Sequence, residues 1–137
     1  MYKGRENYET VKHLMAGEEC IVTGYGQSMT PILKSGQSVR CIPVTEETVL
    51  RKNDIVLCKV AGHFYLHKVS AINGGKTFQI SNNHGHVNGW IGKKCIYGLV
   101  VEKFRDIVGA KAPFFVVFFN IFLFFIVESF LHIKNAN

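Results

Sequence analysis

Residues Asp54–Ile72 read DIVLCKVAGHFYLHKVSAI, two apolar runs joined by Ala61-Gly62. Two strand-like runs separated by a two-residue turn containing glycine predict a β-hairpin. The same grammar extends outward. Strand signals recur at Glu19–Thr23, Ser38–Pro43, Thr77–Ser81 and Ile96–Phe104, with turns at Gly24-Tyr25-Gly26, Lys34-Ser35-Gly36, Asn73-Gly74-Gly75 and His84-Gly85. The links are too short for crossover helices, so the sheet is expected to be antiparallel. The expected fold is mainly β, a small curved barrel-like domain.

The chain has 137 residues, 47% of them hydrophobic and 19% charged. That suits one modest core and excludes a disordered tail or a two-lobed dinucleotide-binding enzyme. Three parts are expected: a polar lead-in over residues 1–18, helical from Tyr8 to Met15; the body over 19–104; and a tail over 105–137. The lead-in has no apolar segment of the signal-peptide kind. The tail holds PFFVVFFNIFLFFIV at Pro113–Val127, apolar on all sides but for Asn120. A span needs roughly 20 apolar residues, a length reached by continuing to Ile133. The tail is therefore expected to be an apolar helix and a membrane anchor. Lys103, Arg105 and Lys111 before it and Lys134 after it favour a cytoplasmic body by default.

A net charge of +6 comes from 16 Lys and Arg against 10 Asp and Glu, without clusters. No nucleic-acid partner is expected from so diffuse a distribution. Cys20, Cys41, Cys58 and Cys95 form no C-x-x-C pair, so they read as reduced, core-type cysteines. His63, His67, His84 and His86 lack a Cys, Asp or Glu placed to complete a metal site, so no metal and no cofactor are expected. Trp90, in a Gly-rich stretch, is expected to cap the core.

Chemistry is concentrated in Gly26-Gln27-Ser28-Met29-Thr30-Pro31-Ile32-Leu33. Gly26 permits a close backbone approach, and Pro31 suits the first turn of a short helix. Ser28 at that turn would expose its amide to a developing oxyanion, although a serine there also serves as an N-cap. A serine nucleophile needs a base. In His63–Ile72, strand alternation sets Tyr65, His67, Val69 and Ala71 on one face and Leu66, Lys68, Ser70 and Ile72 on the other. His67 and Lys68 are both candidates, and imidazole needs less environmental help near neutral pH.

The ordered set Gly26-x-Ser28-Met29-x-Pro31-x-Leu33-x-x-Gly36, Asn53-Asp54-Ile55-Val56, Tyr65-Leu66-His67-Lys68-Val69 and Ile80-Ser81-Asn82-Asn83 up to Ile96-Tyr97-Gly98 resembles the signal peptidase and self-cleaving SOS-repressor superfamily. The resemblance spans about residues 19–104. It implies that fold, Ser28 as nucleophile, and His67 as base in the manner of the endoplasmic-reticulum and archaeal enzymes. It implies an oxyanion hole and substrate cleft involving Ser28, Gly26 and Met29. Gly26 stands where some bacterial members carry a serine that adds a second oxyanion donor. Asn53-Asp54 and Gly36-Gln37 each stand for Gly-Asp. Histidine-type members also carry an aspartate near Ser81-Asn82-Asn83, so Asn82, Asn83 or a backbone carbonyl becomes the expected orienter of the base. The implied function is a serine endopeptidase acting on a leader or signal peptide at a membrane. An inactive peptide-binding module of the same fold is the alternative.

Overall fold

The computed structural model describes residues 3–105. The apolar run 113–127, and with it the expected C-terminal helix and anchor, lies outside the described residues. The architecture is one helix, α1 (Lys3–Met15), followed by seven strands: β1 (Cys20–Thr23), β2 (Ser38–Pro43), β3 (Ile55–Val60), β4 (His63–Asn73), β5 (Thr77–Ser81), β6 (Val87–Gly92) and β7 (Ile96–Lys103). They form one antiparallel sheet in the order β1-β2-β7-β3-β4-β5-β6, curled into a half-barrel. A 3-10 turn at Lys93–Cys95 leads into β7.

The central strand explains its own sequence. In β3, Ile55 and Leu57 enter one core cluster, while Val56, Cys58 and Val60 enter another. A strand buried on both faces must be apolar at nearly every position, as IVLCKV is. The hairpin forms as expected: Val60 pairs with His63 across Ala61 (φ 48°) and Gly62 (φ 84°). Two consecutive positive φ values are what a type I′ turn requires, and its twist matches that of the flanking strands.

The polar lead-in packs into the body. Val11 and Leu14 of α1 are 6% and 2% exposed and share a cluster with Val22, Met29, Val39, Cys41 and Leu57. Their i, i+3 spacing puts both on one helix face. Gly98 of β7 makes room for that face, because a Cβ there would lie 2.9 Å from Leu14 Cδ1 and 3.2 Å from Cys41 Cβ.

Three expectations are corrected. The stretch after Ser28 is not helical: residues 28–33 form successive turns, with a cis Thr30-Pro31 peptide. A strand unmarked in the sequence, β6, completes the sheet. Trp90 belongs to that strand, pairs with Gln79 and is 50% exposed rather than capping the core.

Candidate active site

Ser28 lies in the turns between β1 and β2, and His67 near the middle of β4. The sheet brings them together: Ser28 Oγ is 3.1 Å from His67 Nε2. Lys68 projects elsewhere, and its Nζ donates to Asn83 Oδ1 at 3.1 Å. Of the two candidate bases, only His67 meets the serine. His67 is 7% exposed, with the Tyr65 ring centroid 4.9 Å from its own. Burial lowers its pKa below the ordinary 6.5, and the neighbouring His86 adds to the lowering, against a hydrogen bond with Asn88 that raises it. The lowering favours neutral imidazole, the form in which a histidine can accept a proton.

Both residues line a cleft of about 360 Å³. Its apolar lining comes from Val22, Met29, Leu33, Leu57, Phe64 and Leu66. Gly26 lines it at φ 103°, a backbone angle side chains disfavour, and its amide donates to Ser35 Oγ at 2.9 Å. Met29 is 4% exposed and serves the core as well as the cleft.

The turn between β5 and β6 is the seat of the serine loop. Asn83 donates its backbone N–H to Ser28 O at 2.8 Å and its Nδ2 to Thr30 O at 2.9 Å. His84 Nε2 lies 2.9 Å from Gln27 O and 3.2 Å from Thr30 Oγ1. Asn82 Oδ1 accepts from the amides of His84 and His86, both at 2.9 Å, and so closes the turn itself. Neither asparagine expected to orient His67 does so: Asn82 is taken up by its own turn, and Asn83 by the serine loop and Lys68. The group at His67 Nδ1 is Asn88 Oδ1, 2.7 Å away, a residue that no sequence motif singles out. Its only local signal is Asn88-Gly89, which reads as a turn.

The two departures from Gly-Asp have structural roles. Asn53 takes φ 75°, a conformation glycine adopts freely and asparagine tolerates. Gln37 Oε1 accepts from Lys34 N at 2.9 Å, and its Nε2 donates to Phe104 O at 3.0 Å.

Among the described residues no group of His, Cys, Asp or Glu is arranged to hold a metal ion, and no helix is long and apolar enough to cross a membrane. No known protein family matches the chain, and no curated protein matches it at a significant level.

Proposed function

We propose that this chain is a serine endopeptidase of the signal peptidase and SOS-repressor type, working through Ser28 and His67. The observation that carries the reading is the 3.1 Å hydrogen bond between Ser28 Oγ and His67 Nε2 at the wall of an open cleft. The ordered sequence boxes support it independently. His67 Nε2 takes the Ser28 proton as Oγ attacks a peptide carbonyl. The oxyanion meets the Ser28 N–H. The tetrahedral species collapses, His67 returns the proton to the leaving amine, and an ester remains on Ser28. Water, deprotonated by His67, then hydrolyses the ester and restores the serine.

The substrate of this reading is an extended leader or signal peptide, and the apolar run 113–127 is the proposed membrane anchor of the enzyme. The test is incubation of the full chain with a panel of leader peptides, with cleavage sites read by mass spectrometry. Ser28→Ala and His67→Ala are expected to abolish cleavage while Lys68→Ala retains it. Cleavage that survives Ser28→Ala removes the serine from the mechanism and overturns the reading, and peptides bound but left uncut by the wild type point instead to a peptide-binding module. Alkaline washing of membranes tests the anchor, which is wrong if the protein washes off.

A further inference from the structure

We propose that Asn88 is the positioning residue of the site, holding His67 in the one tautomer able to accept the serine proton. The proposal rests on the peptidase reading above and adds a third member to it from a different strand. An amide oxygen only accepts, so the 2.7 Å contact between Asn88 Oδ1 and His67 Nδ1 requires the proton on Nδ1. A neutral imidazole carries one proton, so Nε2 is left with its lone pair, directed at Ser28 Oγ 3.1 Å away. Turning the Asn88 amide over would present Nδ2 as a donor, draw the lone pair to Nδ1 and move the proton to Nε2. Ser28 would then face a donor rather than a base. The amide's orientation therefore decides whether the serine can be activated.

The backbone is built to deliver this side chain. Ile80 pairs with Gly89 and Ser81 with Val87, so Asn88 is the unpaired residue of a β-bulge. A bulge re-aims a side chain that regular alternation would send elsewhere. Gly89 follows at φ 150°, packed so closely that a Cβ there would lie 3.1 Å from Val60 Cγ1.

Asn88 differs from a carboxylate in one respect. It orients the ring but adds no negative charge when His67 becomes imidazolium. Among the described residues, the other titratable groups bearing on His67 are His86 and the adjacent Tyr65, neither of them a carboxylate.

The test combines nitrogen-15 NMR of the His67 ring with turnover across pH, in wild type, Asn88→Ala and Asn88→Asp. The wild type is expected to show the proton on Nδ1. Asn88→Ala is expected to move it largely to Nε2, the tautomer free imidazole prefers, and to lower kcat by about 100-fold or more at little change in KM. Asn88→Asp, nearly isosteric, is expected to restore the Nδ1 proton and to shift the acidic limb of the pH profile upward. A wild-type ring protonated on Nε2 overturns the proposal. So does an Asn88→Ala protein with unchanged tautomer and kcat, or an Asn88→Asp protein whose tautomer and acidic limb do not respond. If no wild-type cleavage is found, the peptidase reading fails while the ring spectra still decide the role of Asn88.

Discussion

His67 is useful only while neutral, and its surroundings favour that state. Burial disfavours imidazolium, so the acidic limb of kcat/KM is expected to have its midpoint below 6.5, measurable from initial rates between pH 4 and 8. The same shift links to stability. Because the folded pKa lies below the unfolded one, the unfolded chain binds more protons in that interval. The contribution of His67 is fully present above pH 6.5 and declines as pH falls toward the folded value. Urea midpoints taken across that window are expected to fall on acidification. A second prediction concerns Asn83, whose side chain secures the carbonyl of Thr30. Asn83→Ala is expected to lower kcat by about 10-fold without moving the pH midpoint, as a loosened serine loop would. Steady-state kinetics at several pH values checks both parts. Ser28 and His67 were legible through the ordered boxes that hold them, whereas strand alternation by itself left Lys68 beside His67 as a candidate base. Asn88 was not, because its direction depends on a bulge, and a bulge is decided by partner strands rather than by local spacing.

At the scale of elements, Gly98 shows how tightly α1 is fitted to the sheet. A methyl group there meets Leu14 and Cys41, both fully buried. Gly98→Ala is expected to cost about 1–3 kcal/mol in urea unfolding. Leu14→Ala in the same chain is expected to recover part of that loss, a coupling that a double-mutant cycle measures. The hairpin β3–β4 was readable because two apolar runs and an Ala-Gly turn agree on one register. Strand β6 was not: VNGWIG has two glycines and no alternation, and its strand state comes from pairing with β5. The helix expected after Ser28 failed for a related reason. The loop's carbonyls are satisfied by Asn83 and His84 from the far end of the sheet, a partnership that local propensity does not encode.

For the molecule as a whole, the sheet order makes β3 the midpoint and gives it a core on each face. Its amides are expected to exchange with solvent most slowly, and those of β6 among the fastest of the strand amides, in native-state hydrogen exchange. Burial also pushes the thiols of Cys41 and Cys58 up to about 12, so alkylating reagents are expected to leave both unmodified until the chain is unfolded. Strand β6 stands last in the row and is zipped to a single neighbour, yet it carries the amide that faces the imidazole. On gentle warming, that terminal ribbon can peel while the middle of the sheet stays intact. Turnover would then fade at temperatures where circular dichroism still reports a folded chain, and recover on cooling.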